Sequence, residues 1–246
     1  MIYYIYDGSF EGLLTAIYEA FYHDVKPDMI LKRSDYQENL FAERVEIVTE
    51  RNKSDRVYNA VREKISSRSL RKIYYAFLSE IKGVETRIYH YLQLGFKIGR
   101  KIDGHLTDDT VLELNRISNK VGLERHRLLG LIRFRRLDND IYYAPIEPDY
   151  NIIALLAPHF SKRLADQNWV IHDLKRKVAA VYNREEWVLT GFSGQPGSYA
   201  EDEAIYQSLW KDFFKNIAIT NRKNSRLQLQ FMPVRYWKHL IEKETT

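Results

Sequence analysis

The residue types best suited to recognition lie in the C-terminal stretch, residues 221–241. This stretch carries six basic side chains, one of them a histidine, and it contains no acidic residue. Aromatic rings are interleaved with the cations at Phe231, Tyr236 and Trp237. Because cations neutralise phosphates and aromatic faces stack on exposed bases, this pattern is typical of a surface that faces nucleic acid. The pattern predicts binding and does not identify a reaction. The alternative is a helix that docks on the rest of the protein, with Trp237 as its anchor and its cations in solvent.

A second group of arginines lies in the middle of the chain. Residues 132–136 read Ile-Arg-Phe-Arg-Arg, and alternate residues of a strand share one face. The pattern predicts that Arg133 and Arg135 are exposed together on a strand that pairs with residues 141–146. Two interpretations stay open, a track for phosphates and a solvated sheet face. The residues predicted to contact nucleic acid are Arg133, Arg135, Arg222, Arg226, Arg235, Tyr236, Trp237 and Lys238.

Three histidines and one aspartate are the candidates for acid–base chemistry. Histidine titrates near neutral pH, so a cleft that holds two of them could move protons. The candidates are His126, His159, His172 and Asp173. Because His172 and Asp173 are neighbours on a predicted strand, their side chains point to opposite faces and cannot form a dyad in a regular strand. For each histidine the alternative is a satisfied polar group in the folded interior.

The composition excludes several kinds of chemistry. The 246 residues include no cysteine, which excludes thiol nucleophiles, disulfides and cysteine-ligated zinc or iron–sulfur clusters. The histidines do not show the HExxH spacing or a similar metal-binding pair. We therefore expect no metal site and no cofactor of its own. The net charge of +5 comes from 38 Lys and Arg against 33 Asp and Glu, so the distribution of charge matters more than its total.

The location of the protein follows from its apolar segments. No apolar run approaches the roughly 18–20 residues of a membrane span. The N-terminus, MIYYIYDGSF, has no basic region followed by a long apolar region, so it does not read as a signal peptide. We expect a cytoplasmic protein without membrane contact.

The hydrophobic pattern predicts an α+β fold with a mixed or antiparallel sheet. We expect one domain over residues 1–246, with a helical lobe around residues 53–121. β-branched and aromatic runs indicate strands, and apolar residues spaced by three and four indicate helices. The predicted strands are 2–6, 45–49, 129–136, 141–146, 169–173, 178–182 and 187–192. The predicted helices are 10–22, 53–65, 70–81, 84–102, 107–121, 150–164, one that carries Ile205, Leu209, Phe213 and Ile217, and a short last helix that begins at Pro233.

Several motifs occur together in one order along the chain. They are Tyr6–Gly12, His126–Arg127 with Gly130–Phe134, Leu156–Phe160 with Arg163, Trp169–Asp173, and the tail Arg226–Lys238. With these motifs the chain resembles a bacterial family labelled DNA metabolism proteins, whose biochemical activity is unknown. The resemblance covers nearly the whole chain, and the order of the motifs is more specific than any one of them. Phe231 stands where the family usually has histidine, so a role of that histidine is not carried over.

The resemblance implies partners for this chain. Members of the family usually accompany a radical SAM protein assigned to DNA modification or repair, and in some bacteria the domain is joined to a uracil-DNA glycosylase-like domain. The resemblance therefore implies that DNA and a radical SAM protein are partners. It supplies no catalytic residues. The missing cysteines agree with a division of labour in which the partner carries any iron–sulfur cluster.

Three hypotheses about function follow. The first is a DNA-metabolism accessory protein that binds DNA and supports a radical SAM repair or modification enzyme. The second is a nucleotide- or base-processing hydrolase that uses the histidines and Asp173. The third is a protein adaptor whose basic surface meets an acidic partner and no nucleic acid. Convergence of the acid–base candidates in one pocket would favour the second hypothesis.

Overall fold

A computed structural model describes residues 1–38, 40–194, 196–216 and 224–243. The chain divides into two compact units, an N-terminal unit of residues 1–122 and a C-terminal unit of residues 123–246. The predicted helical lobe at residues 53–121 falls within the first unit, and the single domain stays a prediction. Arg222, one of the predicted contacts with nucleic acid, and Ile217, the last residue of the predicted apolar stripe, lie outside the described residues.

A three-stranded parallel sheet lies in the N-terminal unit, with β1 between β2 and β3. Tyr3 of β1 lies opposite Met29 of β2 on one side and Arg44 of β3 on the other. The last three residues of β1 are buried because both neighbours and the helices cover this central strand. The strands are β1 (Ile2–Tyr6), β2 (Met29–Lys32) and β3 (Glu43–Glu46). The prediction missed β2 and placed β3 two residues too late.

The turn after β1 is closed by its own side chains. Helix α1 (Phe10–Tyr22) begins at Ser9, whose hydroxyl accepts a hydrogen bond from the Gly12 N–H at 2.9 Å. Asp7 accepts from the Ser9 backbone N–H and hydroxyl and from the Thr49 hydroxyl. Burial alone would raise the pKa of Asp7, but these hydrogen bonds outweigh it and lower the pKa. The Asp7 carboxylate thus accepts hydrogen bonds from donors of this turn, and those donors would otherwise be available to a bound anion.

Helices form the rest of the N-terminal unit, and their apolar faces make its core with α1 and the sheet. A π-helical turn follows α2, and Ser66 ends it by capping α3 through the Ser69 N–H. The predicted helix at 84–102 ends earlier, at Ile98, and a 3-10 turn follows it. The elements are α2 (Arg51–Ala60), the π-helical turn Val61–Ile65, α3 (Ser67–Leu78), α4 (Val84–Ile98), the 3-10 turn Gly99–Gly104 and α5 (Asp109–Leu131), whose residues from Leu123 onward belong to the C-terminal unit.

One buried polar network fixes the 3-10 turn against the start of α3. The Asp103 carboxylate accepts from the Ser66 hydroxyl at 2.6 Å, the Ser69 hydroxyl at 3.2 Å and the Lys72 ammonium at 3.1 Å. The Ser69 hydroxyl also shares a hydrogen bond of 2.8 Å with the Tyr91 hydroxyl on α4. Because every group in the network has a partner, its burial carries little penalty. The network therefore fixes the position of the 3-10 turn relative to α3 and α4.

A five-stranded sheet forms the centre of the C-terminal unit, in the order β4-β5-β6-β7-β8. Helix α6 connects β5 to β6, which pair in parallel, and β6, β7 and β8 form the predicted antiparallel meander. The strands are β4 (Arg135–Arg136), β5 (Tyr142–Ile146), β6 (Trp169–Asp173), β7 (Val178–Tyr182) and β8 (Trp187–Gly191). The helices are α6 (Ile153–Arg163), α7 (Glu203–Asn216) and α8 (Ser225–Phe231), followed by 3-10 turns at Val234–His239 and Ile241–Lys243.

The predicted strand at residues 129–136 is wrong over most of its length. Helix α5 continues to Leu131, ten residues beyond its predicted end at Val121. The prediction ended the helix at about Val121, but apolar residues continue at helical spacing beyond it, and Val121, Leu128 and Ile132 are buried. Only Arg135 and Arg136 pair with β5. Residues Ile132–Phe134 therefore do not belong to a strand, although their alternation of apolar and basic side chains predicted one.

The apolar stripe predicted near the C-terminus is present on α7 but faces outward. Ile205, Leu209 and Phe213 are each more than half exposed. The overall class is α+β, as predicted. Among the described residues, no helix combines the length and the apolar character needed to cross a membrane.

Candidate nucleic-acid interface

The C-terminal tail packs against its own unit through Tyr236. This side chain is only 3% exposed, and its hydroxyl donates a hydrogen bond of 2.6 Å to the buried Glu124 carboxylate. Burial and this hydrogen bond raise the pKa of Tyr236. Glu124 also accepts from the backbone N–H groups of Asp149 and Tyr150, each at 2.9 Å. The Arg235 guanidinium lies 3.1 Å from Asp149 and 3.7 Å from Glu124.

Glu147 contacts the next two basic side chains of the tail. The Lys238 ammonium forms an ion pair with the Glu147 carboxylate, and the His239 Nε2 atom lies 3.3 Å from the same carboxylate. Burial alone would raise the pKa of Glu147, but the contacts with Lys238 and His239 lower it. The Trp237 indole N–H donates to the Met232 carbonyl at 2.9 Å, and Lys243 lies 4.4 Å from the centre of the Trp237 ring system.

The arginines of the middle segment are also engaged within the unit. Arg133 holds the fully buried Glu242 carboxylate through two hydrogen bonds, of 2.6 and 3.1 Å, and its guanidinium lies 5.1 Å over Trp210. Burial would raise the pKa of Glu242, but the hydrogen bonds from Arg133 and Trp210 lower it. The Arg135 guanidinium lies 5.7 Å over the Tyr199 ring.

These contacts replace the expected row of open cations. Arg133, Arg235 and Lys238 each pair with a carboxylate of the C-terminal unit. An ion pair that is already formed must be broken before the cation can neutralise a phosphate, which reduces the gain from counterion release. Arg226 is exposed on α8. We call the ion pairs of Arg133, Arg235 and Lys238 with carboxylates of the C-terminal unit, together with the Tyr236–Glu124 hydrogen bond, the clasp. These contacts first hold segments of that unit together.

The acid–base candidates do not converge. His172 is 4% exposed, and its Nε2–H donates to the Phe192 carbonyl at 3.1 Å while its Nδ1 accepts from the Tyr143 hydroxyl at 2.8 Å. Burial lowers the pKa of His172 and favours this neutral ring. His159 is half-buried, with its ring centre 5.1 Å from that of Phe160, and His126 is exposed on α5.

Asp173 shapes the turn between β6 and β7. Its carboxylate accepts from the backbone N–H groups of Lys175 and Arg176, and it pairs with the Arg176 guanidinium at 3.0 Å. None of the recorded hydrogen bonds between described residues joins two of the four acid–base candidates. Within the same described ranges, no three His, Cys, Asp or Glu side chains are grouped closely enough to hold a metal ion.

Positive charge is concentrated elsewhere, in the helices of the N-terminal unit. Residues 51–72 carry eight Lys and Arg against two Asp and Glu, although the whole chain has an excess of only five. Residues 97–101, in the last turn of α4 and the 3-10 turn, add three cations and no acid. The two segments meet, since a Cβ on Gly99 would lie 3.6 Å from the Lys64 carbonyl and Asp103 binds Ser66.

We call the exposed cations of residues 61–72 and 97–101 the basic surface. All of them are solvent-exposed, and none forms an ion pair with a carboxylate among the described residues. Of the cations predicted from the sequence, Arg133, Arg235 and Lys238 pair with carboxylates. The cations of the basic surface remain available to a phosphate. The basic surface consists of Arg62, Lys64, Arg68, Arg71, Lys97, Arg100 and Lys101.

An aromatic cleft of about 640 Å³ opens beside the basic surface, between α1, α2, the π-helical turn and α4. On one wall the rings of Tyr18 and Tyr22 stack with their centres 4.4 Å apart and an interplanar angle of 28°. The Arg56 guanidinium lies 5.3 Å over Tyr18 and donates to its hydroxyl at 3.0 Å. The cleft is lined by Tyr18, Phe21, Tyr22, Arg56, Val57, Asn59, Ala60, Glu63, Lys64 and Phe96.

The sequence carried a signal for the basic surface in the excess of cations over residues 51–72. The C-terminal tail has no acidic residue at all, but the local net charge of a helical segment is a better indicator of a surface that binds nucleic acid. The acids that neutralise the tail lie about 90 to 110 residues away in sequence, as with Glu147 and Glu124. The aromatic cleft had no comparable signal, because its residues come from separate helices.

A family model described as a domain of unknown function, DUF4130, matches residues 82–242. The match includes α4, with Phe96 of the cleft and the cations at 97–101, and the clasp around Glu124 and Tyr236. No curated protein matches this chain.

Proposed function

We propose that this chain, which belongs to the DUF4130 family, is a DNA-metabolism accessory protein. It binds DNA through the basic surface of its N-terminal unit and supports a radical SAM enzyme that repairs or modifies DNA. The observation that carries the DNA-binding part is the group of seven exposed cations without carboxylate partners among the described residues. The resemblance to DNA metabolism proteins supports DNA as the polyanion.

The physical argument for DNA binding is electrostatic. Each Lys or Arg that reaches a phosphate releases a condensed counterion, so affinity falls with salt in proportion to the number of contacts. Arg62 and Lys64 project from the π-helical turn, and Arg100 and Lys101 from the 3-10 turn that packs beside it. Because the Asp103 network ties the 3-10 turn to Ser66, which directly follows the π-helical turn, the backbone that carries these cations is positioned before DNA arrives.

The test compares two double variants with equal change in net charge. Lys64→Glu/Arg100→Glu alters the basic surface, and Lys162→Glu/Lys175→Glu alters exposed lysines of the C-terminal unit. Binding of a labelled duplex and of a labelled single strand is measured by fluorescence anisotropy between 50 and 200 mM salt, the range over which phosphate contacts dominate.

We expect the first variant to lower the log–log salt slope by about two, one unit for each lost phosphate contact. We expect the control variant to keep the wild-type slope. Equal slopes in all three proteins, or no binding by the wild type at 50 mM salt, would refute binding through this surface. Circular dichroism shows whether each variant is folded.

The second part of the proposal concerns the partner. Iron–sulfur clusters of radical SAM enzymes are held by cysteine thiolates, and this chain has none, so the radical chemistry would belong to the other protein. The exposed stripe of Ile205, Leu209 and Phe213 on α7 supports a contact with a protein, because contiguous exposed apolar groups mark interaction sites.

A capture experiment tests the partner. The tagged full chain is mixed with the radical SAM protein in the presence and absence of nuclease. We expect capture to persist after nuclease treatment. Capture that disappears with the DNA would show bridging by nucleic acid, and the proposed direct contact would be wrong while DNA binding stands.

A further inference from the structure

We propose that the aromatic cleft holds one unpaired base of a DNA strand whose backbone follows the basic surface. The protein would then prefer single-stranded or locally opened DNA to a closed duplex. This inference rests on the proposed function and adds the strand type and the manner of recognition. Lys64 connects the two features, because it lines the cleft and belongs to the basic surface.

The walls of the cleft offer ring faces to a planar ligand. Tyr22 is 68% exposed although it stacks on Tyr18, so one of its faces is paired within the protein and its remaining surface is open to a base. Sequence-tolerant binding of single strands relies on such faces, because every base has a π surface. The volume of about 640 Å³ lies within the usual range for a small-ligand site.

The floor of the cleft is fixed by packing. The rings of Phe21 and Phe96 meet edge to face with their centres 5.4 Å apart. Beneath the π-helical turn, Ile65 is fully buried and packs so closely on Gly95 that an added Cβ would lie 2.7 Å from it. Single π-helical turns within helices occur frequently at functional sites. Here the turn carries Lys64 to the rim of the cleft.

The polar groups at the rim match a nucleotide better than an apolar peptide. Arg56 is held over Tyr18 by its hydrogen bond to the hydroxyl, and a planar guanidinium can stack on a base or contact a phosphate. Asn59 supplies an amide with donors and an acceptor for a base edge. Glu63 is the one acid that lines the cleft, against the cations Arg56 and Lys64.

The geometry explains why the base must be unpaired. In a duplex each base is stacked on its neighbours, and its ring face is reached only after the base is extruded or the strands are separated. The cleft offers ring faces on its walls. A duplex can therefore contact the basic surface through its phosphates but cannot fill the cleft.

The experiment uses the full chain and three labelled DNAs of one sequence: a single strand, the same strand with a row of abasic sites, and the duplex. Four proteins are compared, namely the wild type and the variants Tyr22→Ala, Tyr22→Phe and Tyr58→Ala. Tyr22→Phe keeps the ring, and Tyr58 is an exposed tyrosine of α2 that does not line the cleft.

We expect Tyr22→Ala to lose roughly 5- to 150-fold in affinity for the single strand, the range that one stacked base contributes. Its affinity for the duplex and for the abasic strand should stay within twofold of the wild type. Tyr22→Phe and Tyr58→Ala should bind the single strand like the wild type. A strand with 2-aminopurine in place of one base should lose fluorescence on binding to the wild type and not to Tyr22→Ala.

Two outcomes would overturn the inference, and they are distinguishable from failure of the proposed function. If the single strand and its abasic form bind the wild type equally, or if Tyr22→Ala and Tyr58→Ala behave alike, the cleft does not hold a base. In that case the salt-dependent binding lost in Lys64→Glu/Arg100→Glu still supports the proposed function. If the wild type binds none of the three DNAs, both proposals are wrong.

Discussion

Replacing Glu124 tests whether the C-terminal tail is a structural clasp. The Glu124 carboxylate is buried and accepts hydrogen bonds from Tyr236 and from the backbone N–H groups of Asp149 and Tyr150, while Arg235 lies 3.7 Å away. Glu124→Gln keeps the size of the side chain, but it removes the charge and turns one acceptor into a donor. At least one buried donor is then left facing another donor.

The magnitude follows from the hydrogen bonds that are lost. A hydrogen bond to a charged group is worth about 1.5–3 kcal/mol, and a buried donor left without a partner costs about 1–3 kcal/mol. We therefore expect Glu124→Gln to lower the free energy of unfolding by about 2–4 kcal/mol and Tyr236→Phe by about 1.5–3 kcal/mol. Because the two side chains share one hydrogen bond, the double variant should be more stable than the sum of the single losses predicts, by about 1–2 kcal/mol.

Tryptophan fluorescence during urea unfolding is the suitable assay. All four tryptophans, at positions 169, 187, 210 and 237, lie in the C-terminal unit, so their emission reports on that unit alone. The three variants and the wild type are compared at one pH and one salt concentration. None of the three variants should change the affinity for DNA, measured without urea, by more than twofold.

Two results would contradict a structural role of the tail. If Tyr236→Phe leaves the free energy of unfolding unchanged within about 0.5 kcal/mol, below the cost of a lost buried hydrogen bond, the clasp does not stabilise the unit. If the same variant weakens DNA binding tenfold, the tail is an interface after all. Additive losses in the double variant would show that the two side chains act separately.

Two further predictions concern one residue in each unit. Because burial lowers the pKa of His172, its neutral ring stabilises the fold above the unfolded pKa near 6.5. We expect this contribution to be lost as the pH falls below 6.5 toward the folded pKa, so urea unfolding between pH 7.5 and 5.5 should be less pH-dependent in His172→Gln. The same slope in both proteins would contradict it. In the N-terminal unit, a Cβ on Gly12 would lie 2.2 Å from Asp7 Oδ1, so Gly12→Ala should cost about 1–3 kcal/mol in circular dichroism melts. Gly130→Ala, on an open helix face, is the control and should gain about 0.5–1 kcal/mol; a neutral Gly12→Ala would count against the tight turn.

Local pattern determined several elements from the sequence alone. Ile2–Tyr6 and Phe10–Tyr22 have the predicted bounds because β-formers, a capping Ser9 and an apolar stripe act over a few neighbouring residues. The strands at Trp169–Asp173 and Val178–Tyr182 follow for the same reason. Absence of cysteine chemistry also follows directly from composition. These features depend on interactions between residues that are close along the chain.

Tertiary structure alone decided which cations stay open. The tail and the basic surface are both rich in Lys and Arg, and the difference between them is the position of distant carboxylates. Glu124 and Glu147 are separated from Arg235 and Lys238 by about 90 to 110 residues, and folding brings them within ion-pair distance. Coulomb energy depends on distance in space and on burial, and neither is written in the order of residues.

The same reason applies to the aromatic cleft and to helix α5. Tyr18, Arg56 and Phe96 come from three helices, and only their packing makes a cleft. Helix α5 continues to Leu131, beyond its predicted end at Val121, and the residues that follow this predicted end include Leu128 and Ile132, which tertiary packing buries. The sequence supplied the cations, the rings and the helical pattern, and packing over long separations in sequence decided which of them face solvent together.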